Sequence, residues 1–334
     1  MNPIRIGING FGRIGRALTR ILLHDNRFQV VGVNDLAGPR VMAHLFKYDS
    51  VHGSTKTTVT ASGDAIFIAD KRIPFFAHTQ PQAIPWGECS AEIIVDCTGQ
   101  FKTTESLRGH LLAGAKRVVL SVPPEDESIK TIVFGINDKE ITASDLIISN
   151  ASCTTNNAAP MIQLLDELCG IESCYITTVH SYTGDQRLHD SPHQDLRRGR
   201  AAALSIIPTT TGAAKALTRV FPHLSEKMGG CGFRVPVPDG SLTDITCNVR
   251  NPLDISSINK AFELASTNRW KGILEYTNDP IVSIDVVGNP ASCVFDAQLT
   301  SVIGNMVKVV GWYDNEIGYS HRLRDVLLAC SISH

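Results

Sequence analysis

The chain has 334 residues, 43% hydrophobic and 19% charged, enough for two domains of ordinary size with a core in each. A formal net charge of −2 leaves no electrostatic footprint for nucleic acid or an anionic membrane surface. The start MNPIRIGING lacks a charged segment leading into a long apolar one, and no run reaches membrane-spanning length, so the expectation is a cytoplasmic protein with neither nucleic acid nor membrane as partner.

The first half alternates short β-rich runs with helical patterns. Strands are expected at IRIGI (4–8), FQVVGVND (28–35), EIIVDC (92–97), RVVLS (117–121) and LIISN (146–150). Between the first two, RIGRALTRILLHD places Ile14, Leu18, Ile21 and Leu22 on one helical face. Near-continuous apolar strands separated by helices point to a parallel sheet covered on both faces.

Within this pattern Gly10-x-Gly12-x-x-Gly15 follows a strand and opens a helix. Gly10 permits the tight turn, Gly12 lets the backbone approach a pyrophosphate, and Gly15 lets helix and strand pack closely. Asp35, about 20 residues on, is placed to accept from the ribose hydroxyls and to repel a 2′-phosphate, so NAD is expected and NADP is the runner-up. Thr98, Gly99 and Ser121 also end strands of this sheet, where an open α/β sheet binds its ligand.

LIISN runs into Ala151-Ser152-Cys153, with a helix expected from near Thr154. A thiol at a helix N-terminus is expected to have its pKa lowered below about 8.5, and the Cys153 N–H is available to an oxyanion. The remaining cysteines lie mostly in apolar runs. Their number is odd at nine and no pair is spaced Cys-x-x-Cys, so neither a disulfide framework nor a metal site is expected. His180, ending the strand pattern CYITTVHSY, is the candidate base for Cys153. A thiol with a nicotinamide cofactor suggests aldehyde oxidation through a thioester.

After Pro160 the pattern changes. SCYITTVHSY, CGFRVPVPDG, SLTDITCNVR, PIVSIDVVG, CVFDAQL and NMVKVVGWYD read as longer strands, giving a mostly antiparallel sheet with helices on one side. A long loop carries Arg197, Arg198 and Arg200 ahead of Thr209-Thr210-Thr211-Gly212, and guanidinium forks beside hydroxyls and a glycine N–H are a way to hold phosphate. Arg234, a charge inside an apolar strand, calls for an anionic partner. EIGYSHRLRDVLLACS returns to helical periodicity.

INGFGRIGR, FKYDSVHG, SNASCTTN, DLRRGRAAA, IIPTTTGAAKA, RVPVPDGS and WYDNEIGYS together resemble the phosphorylating glyceraldehyde-3-phosphate dehydrogenases, along essentially the whole chain. The resemblance implies a homotetramer that oxidises glyceraldehyde 3-phosphate with NAD and inorganic phosphate to 1,3-bisphosphoglycerate, in glycolysis or gluconeogenesis. It implies an α/β chain: a Rossmann-type, doubly wound dinucleotide-binding domain at 1–151 completed by a C-terminal helix at 316–334, and an α+β catalytic domain at 152–315 containing an S-loop at 181–201. Cys153 matches the nucleophile and His180 its activating base. Arg13 and Ile14 match residues whose backbone meets the pyrophosphate, Asp35 the ribose acceptor, Ser121 a cofactor contact, and Asn315 the residue that holds the nicotinamide amide. Thr183 and Arg234 match the pocket for the substrate's own phosphate. Ser152, Thr154, Thr211 and Gly212 match contacts of the attacking phosphate, and Arg198 a further substrate-binding position. Pro192 is of the type seen in NAD-preferring members. The chain departs from the family pattern at Asn157, where a second cysteine is common, at Ile317, where Trp is usual, and at Thr79, where an arginine near the adenine is usual. The alternatives are erythrose-4-phosphate dehydrogenase, with the same thiol and cofactor logic, and a non-catalytic thiol sensor or adhesin. Aspartate-semialdehyde-type enzymes share the mechanism but not these blocks.

Overall fold

The computed structural model describes residues 2–332, and they fall into two compact units. One unit runs to Ala151 and takes in the chain again from Ser320; the other is Ser152–Tyr319.

The first unit comprises β1 (Ile4–Asn9), α1 (Arg13–Leu23), β2 (Phe28–Asn34), α2 (Pro39–Lys47), β3 (Val59–Ser62), β4 (Ala65–Ile68), β5 (Lys71–Phe76), β6 (Ile93–Asp96), α3 (Thr104–Leu112), β7 (Arg117–Leu120), β8 (Lys130–Thr131) and β9 (Ile147–Ser149). The sheet order is β3-β4-β5-β2-β1-β6-β7-β9-β8. From β5 to β8 every pairing is parallel, and only the β3–β4–β5 edge is antiparallel. Ile6, Ile8, Ile94, Val95, Val118, Val119 and Leu120 are buried without remainder, which is why these strands read as apolar runs rather than alternating ones. On α1 the buried face runs through Gly15, Leu18, Thr19 and Leu22, while Ile14 and Ile21 are only half-buried. The expected stripe is therefore rotated, because the small Gly15 is the residue that meets the sheet.

In the second unit α4 (Cys153–Cys169), α5 (Ala213–Val220) and α6 (Ile255–Thr267) accompany an eight-stranded sheet. Its strands are β10 (Ile171–Ser181), β11 (Ile207–Thr209), β12 (Met228–Val235), β13 (Ser241–Val249), β14 (Leu274–Thr277), β15 (Cys293–Asp296), β16 (Ser301–Ile303) and β17 (Met306–Tyr313). The order is β11-β12-β10-β13-β17-β15-β14, with β16 beside β17. Five pairings are antiparallel; β10–β12 and β14–β15 are parallel. The helix α4 packs on β10, β13, β15 and β17 with α5 and α6 beside it, forming one helical layer. The last helix, α7 (Ile317–Ile332), leads back into the first unit, where Arg117 Nη1 donates to Cys330 O at 2.7 Å. No helix among the described residues is long and apolar enough to cross a membrane.

One expected strand is absent. PIVSIDVVG forms a single 3₁₀ turn over Ser283–Val286, because Asp285 Oδ2 accepts from Val282 N at 2.8 Å and curls the backbone. Val282 and Ile284 are left exposed while Val286 is buried, so the apolar alternation does not mark a sheet face here.

Asn157, in α4 one turn beyond Cys153, is fully buried and donates from Nδ2 to Ser292 O and Trp312 O, each at 3.2 Å. Asn157→Cys removes both N–H donors from a fully buried site and is expected to cost about 1–3 kcal/mol. Chemical denaturation measures this; a midpoint equal to the parent's would show that the two bonds contribute nothing.

Candidate active site

Each unit gathers part of the expected site. In the first, β1, β2, β6 and β7 end along one edge of the parallel sheet, and β1 is the strand from which the chain builds outward in both directions. That is the topological switch point of an open α/β sheet. Gly10 sits there at φ +89°, and a Cβ on it would stand 2.8 Å from Thr98 N. A Cβ on Gly15 would stand 2.2 Å from Gly10 O, so the turn and the helix close together only with both glycines. Gly12 caps α1 with nothing within 4 Å of its missing Cβ, and no acidic residue occupies the helix's first turn. The helix start is thus open to an anion.

Asp35 follows β2, accepting from Phe11 N at 2.8 Å and from Ala37 N at 3.0 Å. Those bonds hold its carboxylate against the glycine turn. Arg13 begins α1 and pairs with Asp49 at 2.8 Å, leaving its backbone, like that of Ile14, in the first turn. Asp96 Oδ1 accepts from Thr98 N and Oγ1, and its Oδ2 from Asn9 Nδ2 at 2.7 Å, which locks the turn after β6 beside Gly10. Buried Ser121 follows β7, its N–H donating to Asp96 O at 3.0 Å. This donor set fits a dinucleotide: a free helix N-terminus for pyrophosphate and a fixed carboxylate for ribose.

In the second unit Ser152 caps α4, its hydroxyl accepting from Thr155 N at 3.1 Å, so Cys153 is the helix's first residue. The preceding Ala151 has φ +54°, a left-handed conformation that costs a non-glycine residue of order 1 kcal/mol. Cys153 Sγ lies 3.3 Å from His180 Nε2. His180 Nδ1 lies 2.7 Å from Ser181 O and 2.9 Å from Arg234 Nη1; the shorter contact assigns the proton to Nδ1, since Nη1 has Ser181 O and Thr183 Oγ1 as acceptors of its own. The Nε2 lone pair therefore faces the thiol. Arg234, paired directly across from His180 in the β10–β12 register, donates through Nη1 to Ser181 O at 3.0 Å and Thr183 Oγ1 at 3.3 Å. Its 2.9 Å approach to Nδ1 sets a positive charge beside the ring.

The expected low thiol pKa is not what the environment produces. Burial pushes Cys153 up to about 11, against the opposing pull of Arg234, the Thr154 N–H and hydroxyl, and the thiol's own N–H. Cys153 retains some accessible surface, so water tempers this desolvation. Burial and then Arg234 push His180 down to about 3. The resting pair is thus thiol and neutral imidazole, and the helix-end groups and Arg234 act by easing proton transfer within it.

The remaining residues sit in three places. Asn315 accepts at Oδ1 from Ser181 Oγ and Ser241 Oγ, both at 2.8 Å, which fixes its amide with Nδ2 turned away as a donor. Thr183 donates to Asp185, and Arg198 Nη1 donates to the other Asp185 oxygen at 2.5 Å while its Nε and Nη2 hold Thr209 Oγ1. Thr211 and Gly212 form the turn into α5, where Thr211 Oγ1 accepts from Ala213 N. Of the three loop arginines only Arg198 is drawn inward; Arg200 pairs with Asp190 at the surface and Arg197 is exposed. Two contributors were not marked by sequence pattern. Tyr313 OH bridges Thr154 Oγ1 (2.9 Å) and Thr178 Oγ1 (3.1 Å), with its ring edge-on to His180, and Asp185 ties Thr183 to Arg198. Tyr313 lies in the block WYDNEIGYS and Asp185 two residues past Thr183, but only the folded contacts show what they touch.

Because Arg234 lowers both pKa values, Arg234→Gln is expected to raise the thiol further and to slow iodoacetamide alkylation of Cys153 at any fixed pH. In the parent, alkylation should accelerate from about pH 7 to about pH 9 as thiolate forms. An alkylation rate unchanged by the substitution, or one falling with pH, would contradict this account.

Two family models match the chain. The glyceraldehyde 3-phosphate dehydrogenase NAD binding domain matches residues 4–104, and the glyceraldehyde 3-phosphate dehydrogenase C-terminal domain matches 152–315. Similar proteins include glyceraldehyde-3-phosphate dehydrogenase 2 of Streptomyces avermitilis, 50% identical over 326 residues. Others are the glyceraldehyde-3-phosphate dehydrogenases of Streptomyces coelicolor, 50% identical over 327, and Mycobacterium avium, 48% over 331; in all three cases 97% of each chain is covered.

Proposed function

The chain belongs to the glyceraldehyde-3-phosphate dehydrogenase family, and from that premise we propose how its own residues carry out the NAD-dependent oxidation of glyceraldehyde 3-phosphate. The observation that carries the reading is the 3.3 Å Cys153–His180 pair with the Nε2 lone pair turned to sulfur.

Residues 1–151 with 316–334 form the NAD-binding domain, and 152–315 the catalytic domain with its S-loop at 181–201. Gly10, Gly12, Arg13, Ile14 and Gly15 meet the pyrophosphate through backbone, Asp35 takes the ribose hydroxyls, and Ser121 adds a contact. Asn315 Nδ2 donates to the nicotinamide amide.

Cys153 Sγ adds to the aldehyde carbon as its proton passes to His180 Nε2; the new oxyanion accepts from the Cys153 N–H and then takes that proton back from His180, giving the thiohemiacetal and a neutral imidazole. NAD, held at Gly10, Gly12, Gly15 and Asp35, would supply the hydride acceptor for oxidation of this species to a thioester. His180, held by Ser181 O, takes the hydroxyl proton as the carbonyl forms. Inorganic phosphate then attacks the thioester carbon, and the Cys153 thiolate leaves, releasing 1,3-bisphosphoglycerate. Thr183 and Arg234 hold the substrate's own phosphate. Ser152, Thr154, Thr211 and Gly212 receive the attacking one, and Arg198 adds its charge. Burial of the Arg234 guanidinium favours its part in this, since an anion offsets a desolvated positive charge.

The working unit in this reading is a homotetramer in the cytoplasm. Leu188, Leu196, Leu204 and Ile206 stand exposed along the loop, with Leu196 86% accessible, as expected of a segment that packs on another copy. Nine free cysteines suit a reducing compartment.

Purified protein should form NADH from glyceraldehyde 3-phosphate and NAD in sustained turnover only when phosphate is present. Erythrose 4-phosphate or NADP should serve poorly, and Cys153→Ser should abolish turnover. Full activity in the Ser variant, or turnover indifferent to phosphate, would overturn the reading.

A further inference from the structure

Asp185 is the one carboxylate that both binds Thr183 Oγ1 and pairs with Arg198, at 2.5 Å through Nη1. These two residues come from different places, just past β10 and deep in the loop, and they serve two different phosphates in the function proposed above. One monoanion thus satisfies donors of both. The remaining Arg198 nitrogens are taken by Thr209 Oγ1, so the Asp185-facing edge of the fork is the part an incoming anion would need. Asp185 is well placed to move, with 42% of its side-chain surface accessible against 22% for Arg198. Its charge also reaches Arg234 and His180. Burial raises its pKa, but Thr183, Arg234 and Arg198 outweigh that and hold it below the usual carboxylate range, so it is ionised at neutral pH.

We propose that Asp185 is an internal stand-in for phosphate: its carboxylate occupies Thr183 and Arg198 and must release them before phosphate groups bind. A carboxylate presents one negative charge and two oxygens, whereas a phosphate ester presents nearly two charges on three terminal oxygens and inorganic phosphate a similar charge on four. Phosphate therefore displaces it, while singly charged anions such as chloride or acetate do not compete well. The device keeps the donors oriented and screens out weak anions, at the expense of some phosphate affinity. The inference rests on the reading that Thr183 and Arg198 receive phosphate.

Occupancy and mere bracing predict opposite signs for one substitution. Asp185→Asn keeps the shape but surrenders the charge and one acceptor. If the carboxylate competes, the variant's KM for inorganic phosphate falls by about 3- to 10-fold, chloride becomes a measurable inhibitor, and phosphate raises Tm more than it does in the parent. If Asp185 only braces Arg198, the KM for phosphate rises instead, which overturns the proposal. Asp195→Asn is the control for a simple field effect. Asp195 lies 3.7 Å from the same guanidinium but is not bonded to Thr183, and an equal fall in KM there would also overturn it. The phosphate-dependent Tm shift reads occupancy even in a variant of reduced activity. If parent turnover needs no phosphate, the functional reading fails; if it does and the Asn variant's KM is unchanged or raised, only this inference fails.

Discussion

The thiol of Cys153 and the imidazole of His180 must lie within hydrogen-bond reach with the right proton on the right nitrogen, and much of the second unit serves that requirement. Ala151 holds a left-handed φ just before the helix, and the Ser152 cap makes Cys153 the first helical residue. From the other side, β10 ends on His180, and the Ser181 carbonyl beside it fixes the Nδ1 proton. The parallel β10–β12 pairing, unusual in a mostly antiparallel sheet, sets Arg234 across from the same histidine. Shifting that register by one residue would turn Arg234 to the opposite face of the sheet. The pair is therefore a product of sheet register as much as of side-chain identity.

Desolvation then decides the resting charge state. Burial of both partners outweighs the helix N-terminus and the guanidinium, so the pair stores its proton on sulfur. A buried guanidinium and a helix-end N–H are stabilised when negative charge arrives, and the imidazole then accepts its proton more readily. Substrate phosphate and developing oxyanion can supply that charge, which links binding energy to the chemical step.

The cofactor unit was legible because its determinants are local. Gly10 and Gly15 are needed by backbone geometry within a single turn, Gly12 leaves the helix start uncovered, and Asp35 follows at a spacing set by one helix and one strand. The mostly antiparallel second sheet was legible from its strand patterns. The Val282–Val286 stretch misled, since its valines and isoleucine look like a strand while Asp285 bends it into a turn. At the site, residue types were legible but not their couplings. Thr154 meets Tyr313 across 159 positions and Cys153 meets His180 across 27, and no local pattern records such distances. The thiol's pKa was misjudged because helix position is visible in sequence and burial is not. Among the loop arginines, only the fold tells Arg198 from Arg197 and Arg200.

The central claim is that the aldehyde carbon becomes covalently attached to Cys153 before phosphate arrives. Mass spectrometry of the protein mixed with glyceraldehyde 3-phosphate and NAD, without phosphate and quenched in acid, tests it most directly. The account predicts a phosphoglyceryl adduct on the peptide carrying Cys153, lost when phosphate is added before the quench. NADH formed with that peptide unmodified would contradict it.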